Sequence, residues 1–256
     1  MCNPGNGLFG DGDSTLLRFY ASTPEYMLID VYAEMRSILT ASCIQPTNHS
    51  TVQTGRQLQS SLQDEGIDTE GVVIDEDGES TGMSMIISAD DGTGKNTVAC
   101  LGANQCCGKE ELDIANRYMR SHPEIGILLM QNEVTHNAIV RLARIAHNAR
   151  KMVVFKASPI REAADVSEDL YPKIDVLVVN EYEAPILLGW VETQPDRFPL
   201  RNLQHAMLAA KELQETKKCS AIVILSPFGH VCRIQKEGKV SAGYLPAERP
   251  LEAASC

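Results

Sequence analysis

The sequence predicts an α/β fold: a doubly wound, mostly parallel sheet with a small β lid. Three observations predict it. Short apolar runs alternate with amphipathic stretches through the second half of the chain. Two of those runs, "VLVVN" and "AIVIL", are apolar without alternation, as strands buried on both faces must be. Earlier, "GVVIDEDGESTGMSMIISADDGTGKNTVACLG" sets short strand-like runs between acidic, glycine-bearing turns, the pattern of hairpins.

Residues 1–54 are the least legible. "YMLIDVYAEM" suits helix or strand, and "CIQPTNHSTVQTG" reads as loop. From Gly55 the text becomes regular, with "RQLQSSLQDEG" an amphipathic helix ending near Gly66. After the hairpins, helix "KEELDIANRYMRSH" precedes strand "GILLM". Helix "HNAIVRLARIAHNARK" sets Ala138, Ile139, Leu142, Ile145 and Ala146 on one face and precedes "MVVF". Strand "VLVVN", helix "LQHAMLAAKELQET" and strand "AIVIL" complete the alternation, which predicts parallel strands joined by helices.

Composition narrows the function classes. The 256 residues suffice for one α/β domain or two small ones, and 43% are hydrophobic. No apolar run reaches membrane-spanning length, and the first residues lack the basic and apolar regions of a secretory signal. The eight cysteines have no Cys-x-x-Cys spacing, so they read as reduced thiols of a cytoplasmic protein. A formal net charge of −11 argues against a nucleic-acid binder, but not against a nucleotide ligand held with magnesium.

In parallel sheets, ligands sit beyond the carboxyl ends of the strands. Those ends read "MQNE", "KASP", "NEYE" and "SPFG": two bear carboxylates and one a lysine, a polar edge on an apolar sheet. Some look-alikes fail on context. "GESTG" at Gly78–Gly82 has the hydrolase pattern but is followed by a strand, not a helix. "GTGKN" at Gly92–Asn96 lacks the first glycine and the Ser/Thr of a phosphate loop. "FGDGDS", with Asp13, reads as a terminal segment. The histidines show no metalloprotease spacing, with His136 and His147 on helix surfaces, and no strand is followed by the dinucleotide-binding G-x-G-x-x-G.

The ordered set "GIDTEGV", "GESTGMSMI", "GKNTVACLGAN", "ILLMQNEV", "IDVLVVNEYEAPILLG" and "AIVILSPFG" resembles the ribokinase group of the PfkB sugar-kinase family, from about Gly55 to about Pro246. The resemblance implies a ribokinase-like fold over 55–256, a divergent segment over 1–54, and a lid hairpin at about 71–101. It implies ATP-dependent phosphorylation of a sugar's primary hydroxyl, ribose first among the candidates, with Mg2+ and K+ as accompanying ions. It also implies cytoplasmic location, no membrane or nucleic-acid partner, and a second copy joined through the lid.

Residue by residue, the family's N-x-x-E motif maps onto Asn180 beside the nucleotide and Glu183 supporting the metal. The alternative is that both merely cap the following helix. Glu133 matches the glutamate that accepts from sugar hydroxyls; the alternative is a solvated helix-start carboxylate. Ser84 and Ile86 are expected to face the sugar from the lid, and Ser226 and Gly229 to border the nucleotide.

The chain departs from the family at "KASP", where Lys156 stands for an asparagine and Pro159 is kept, and at "LSPFGH". It has no Gly-Gly-x-Gly before Gly55 and no Gly-Ala-Gly-Asp, so no catalytic base is assigned. The expectation is a kinase truncated at both ends, slow or inactive on ribose. Two other readings stay open: a noncatalytic sugar- or nucleotide-binding protein or kinase fragment, and, more weakly, a nicotinamide-dependent oxidoreductase.

Overall fold

The computed structural model describes residues 49–69, 71–72, 83–88, 95–100, 102–160, 162–236 and 238–246. Asp13 and the "GESTG" stretch up to Gly82 lie outside them. The first described helix, α1 (His49–Asp64), begins seven residues before the expected start at Arg56, so the loop reading of "HSTVQT" gives way to helix. Nothing in that polar stretch forbids helix, and propensity there is a weak guide. The helix stops at Gly66, which takes a left-handed φ of 76° that a side chain would resist.

Strands β1 (Met83–Ser88) and β2 (Lys95–Cys100) pair antiparallel as a sheet of their own, Met83 opposite Cys100. The expected hairpin is therefore separate from the main sheet. Lys95 and Asn96 open a strand, which removes the phosphate-loop reading.

The main sheet has six strands in sequence order: β3 (Ile127–Gln131), β4 (Met152–Lys156), β5 (Val176–Asn180), β6 (Ala221–Leu225), β7 (His230–Lys236) and β8 (Lys239–Leu245). The first four run parallel, and β7 and β8 return antiparallel. Helix α2 (Lys109–Ser121) precedes β3, and α3 (His136–Asn148) joins β3 to β4. Short α4 (Glu183–Leu187) and α5 (Trp190–Thr193), then α6 (Leu203–Lys217), join β5 to β6. Helices α3 and α6 start where a side-chain oxygen accepts an orphan amide: Thr135 from Ala138 N at 3.4 Å, and Asn202 from His205 N at 2.9 Å.

Helices α2, α3 and α6 each bury a small and apolar stripe. On α3 these are Ala138, Ile139, Leu142, Ala143 and Ala146, with Ile145 half-buried against the same core. Helix α6 buries Ala206, Ala209, Ala210 and Leu213, and its alanines let it sit close to β6 and β7. The opposite sheet face has its own apolar cluster of Val176, Val178, Ala221 and Val223. Burial on both faces explains why β5 and β6 are apolar at every interior position. No helix of the described residues is long and apolar enough to cross a membrane.

The hairpin β7–β8 was not anticipated from sequence. Its strands mix charged and small residues, as in "HVCRIQK", so no apolar run announces them. The turn carries Gly238 at φ 76°.

Candidate functional site

Because β3 to β6 are parallel, their carboxyl ends share one edge, and register orders the side chains there. Gln131 pairs with Lys156, Lys156 with Val178, and Asn180 with Leu225. Paired residues of neighbouring strands, and residues two apart on one strand, share a face. Gln131, Lys156, Val178 and Asn180 thus lie on one face as the sheet ends.

Asn180 closes β5 and turns the chain into α4. Its Oδ1 accepts from Tyr182 N at 2.9 Å and from Glu183 N at 2.8 Å. Glu183 returns the bond, Oε2 accepting from Asn180 N at 2.9 Å. Each side chain satisfies amides that the strand has released and the helix cannot use. The capping alternative therefore describes the local bonding. It leaves the Asn180 amide hydrogens and the charge of Glu183 for a ligand.

Glu183 is 4% exposed. Burial raises its carboxyl above the ordinary range, against the Ser158 hydroxyl, the Asn180 N–H and the Lys156 ammonium, which favour the charged form; Glu181 adds to the rise. A carboxylate so placed is costly unless it has partners, and here β4 supplies Lys156 and the loop after it Ser158.

The loop after β3 is fastened to the loop after β4. Asn132 donates through its backbone to Ser158 O at 3.0 Å and through Nδ2 to Pro159 O at 2.7 Å. Glu133, next in this turn, is exposed and lies at the same edge as Asn180. The side chains of Ser84 and Ile86 lie outside the described ones; their backbones pair with Ala99 and Thr97 in β1–β2.

Ser226 and Gly229 sit in the tight turn between β6 and β7, with the Ser226 hydroxyl donating to Gly229 O. Gly229 has φ 123°, and a Cβ there would lie 2.2 Å from Tyr244 Cε2 and 2.8 Å from Leu245 O. The glycine therefore has a packing reason of its own beside β8. His230 Nδ1 accepts from Ser226 N at 3.4 Å, and burial lowers its pKa, so the ring is neutral at pH 7.

Among the described residues no group of three or more His, Cys, Asp or Glu could hold a metal ion. Magnesium keeps several waters and leans on substrate phosphates, so it does not need such a cage. Glu183, buried and already accepting from Asn180 N, fits charge support through the ion's waters better than direct ligation. Sequence reasoning noted Lys156 as part of the polar edge and as a departure from a motif; its place beside Asn180 comes from register, which sequence does not reveal.

A family model described as pfkB family carbohydrate kinase matches residues 51–237. Among solved structures, ribokinase from Thermotoga maritima is similar at 19% identity and a TM-score of 0.58, covering 84% of this chain and 65% of that one. Ribokinase from Cryptococcus neoformans var. grubii serotype A in complex with ADP is similar at 22% identity and 0.59, covering 85% and 67%. Arabidopsis thaliana ribokinase complexed with ribose and ATP is similar at 17% and 0.58, covering 82% and 65%. The chain thus spans about two thirds of the length of the solved structures it matches, and at these identities the likeness establishes the shared fold.

Proposed function

The chain belongs to the pfkB family of carbohydrate kinases, and from that premise we propose that it binds ATP at the carboxyl edge of β3 to β6 and serves phosphoryl transfer to the primary hydroxyl of a small sugar. The observation that carries this is the reciprocal Asn180–Glu183 pair, held at that edge with Lys156 alongside. In such a transfer the terminal phosphorus–oxygen bond of ATP breaks, a bond to the sugar oxygen forms, and the hydroxyl proton leaves to a base. Catalysis is then mostly positioning and charge stabilisation. Asn180 would donate to a phosphate oxygen, and Glu183 would support magnesium through its waters.

Ribose is the first sugar to try, because the similar Arabidopsis protein is a ribokinase complexed with ribose and ATP. Glu133, exposed two strands from Asn180, would accept from neighbouring sugar hydroxyls, and β1–β2 would cover them. Ser84 and Ile86 would face the sugar from that cover, and Ser226 and Gly229 would border the nucleotide. Potassium would accompany magnesium. A second copy would join through β1–β2, which pair only with each other among the described residues. The eight cysteines, with no Cys-x-x-Cys spacing, suit the cytoplasm.

A second reading, binding without turnover, is favoured by one observation: Asn180 and Glu183 already satisfy each other by capping. The test is ADP release from MgATP with ribose, other pentoses, fructose or no sugar, beside ATP binding by calorimetry. Sugar-dependent ADP release supports the kinase. Binding without release supports the second reading, and neither binding nor release overturns both.

A further inference from the structure

The four strand-end segments 131–135, 156–160, 180–183 and 225–230 contain three carboxylates, Glu133, Glu181 and Glu183, and a single lysine or arginine, Lys156. His230 adds no positive charge, because its Nδ1 is an acceptor for Ser226 N and burial favours the neutral ring. These four segments are therefore acidic, with Lys156 their one fixed cation. A polyphosphate approaching them meets repulsion that magnesium offsets only in part.

We propose that Lys156 is a nucleotide-binding residue, placing its ammonium against phosphate oxygens beside Asn180; this rests on the phosphoryl-transfer reading above. Register supplies the geometry. Lys156 pairs with Val178, so it stands on the same face as Asn180 and two residues short of it. At about 3.3 Å per residue that gap is roughly 7 Å, within reach of a lysine stem pointing out past the strand end. Lys156 is also close enough to Glu183 for its charge to favour the carboxylate form, and it is half-buried at the strand end.

Lys156 could instead serve only as counter-charge to Glu183, a structural role. The two differ in ligand dependence. A phosphate contact contributes more the more phosphates the ligand carries, whereas a structural role treats ATP and adenosine alike.

The experiment measures MgATP and adenosine affinity by calorimetry for the full chain, Lys156→Gln and Lys156→Arg, with folding checked by circular dichroism. The expected result is a loss of about tenfold or more in MgATP affinity for Lys156→Gln, unchanged adenosine affinity, and most of the MgATP affinity kept by Lys156→Arg. Equal weakening of both ligands, or no weakening, overturns the role of Lys156 while leaving the kinase reading in place. An unsubstituted chain that binds no adenine nucleotide overturns the kinase reading and this inference with it. Should Lys156→Gln not fold, acetylation of Lys156 in the unsubstituted chain, followed by mass spectrometry, decides. Protection by MgATP but not adenosine supports the contact, and equal labelling with both contradicts it.

Discussion

Asn180 and Glu183 bond each other in both directions across the start of α4: Glu183 N donates to Asn180 Oδ1 at 2.8 Å, and Asn180 N to Glu183 Oε2 at 2.9 Å. Removing either carboxylate or amide leaves a buried backbone N–H without its acceptor. Glu183→Ala should therefore cost about 1–3 kcal/mol of stability, and Glu183→Gln less, because its carbonyl can still accept. Urea denaturation followed by circular dichroism checks the order.

The same carboxyl makes stability pH-dependent. Its folded pKa is raised above the ordinary 4.5, so the folded state holds its proton over a window where the unfolded chain has lost it. Stability from this group is full below 4.5 and declines as pH rises through the folded value. The decline should be present in the unsubstituted chain and absent from Glu183→Gln, measured as the difference in urea midpoints between them across pH 4 to 7.

Glu133 separates binding from folding. It is exposed, so Glu133→Gln should leave stability within about 0.5 kcal/mol and weaken sugar binding about tenfold or more, with MgATP affinity unchanged. Calorimetric titration with ribose reads it directly.

Gly229 tests the β6–β7 turn. With φ at 123° and the Cβ position 2.8 Å from Leu245 O, Gly229→Ala should destabilise by about 1–3 kcal/mol. Removing the Tyr244 ring in a Gly229→Ala/Tyr244→Ala double variant relieves only one of the two clashes, so much of the loss should persist. Thermal melts of the single and double variants decide.

Leu213 is fully buried on α6, so truncating it removes apolar contacts and opens a cavity. Leu213→Ala should cost about 2–5 kcal/mol. Trp190, the one tryptophan and 1% exposed, gives the readout, since unfolding moves its ring into water.

The strands and long helices were legible because burial on both faces forces β5 and β6 to be apolar, and one-sided burial forces a stripe on α3. The shared edge followed, since parallel strands end together. Three features were not legible. Residues 49–54 hold one apolar residue, Val52, too little for a helical stripe, so α1 seemed to begin later. The β7–β8 hairpin has one buried position, Val231, among half-buried and exposed ones, too little for an alternating pattern. At the site, "NEYE" could be read as ligand or cap, and only the hydrogen bonds display the capping. Lys156 stood out in the text, but its relation to Asn180 depends on strand pairing.

ATP bound at the carboxyl edge of β3 to β6 would protect the amides there. Backbone hydrogen exchange with and without MgATP, read peptide by peptide, measures that protection. The expected result is slowed exchange in peptides covering 156–160 and 180–183, with little change in α2. No slowing at those two segments under saturating MgATP, or slowing confined to the opposite edge of the sheet, would contradict binding at the carboxyl edge.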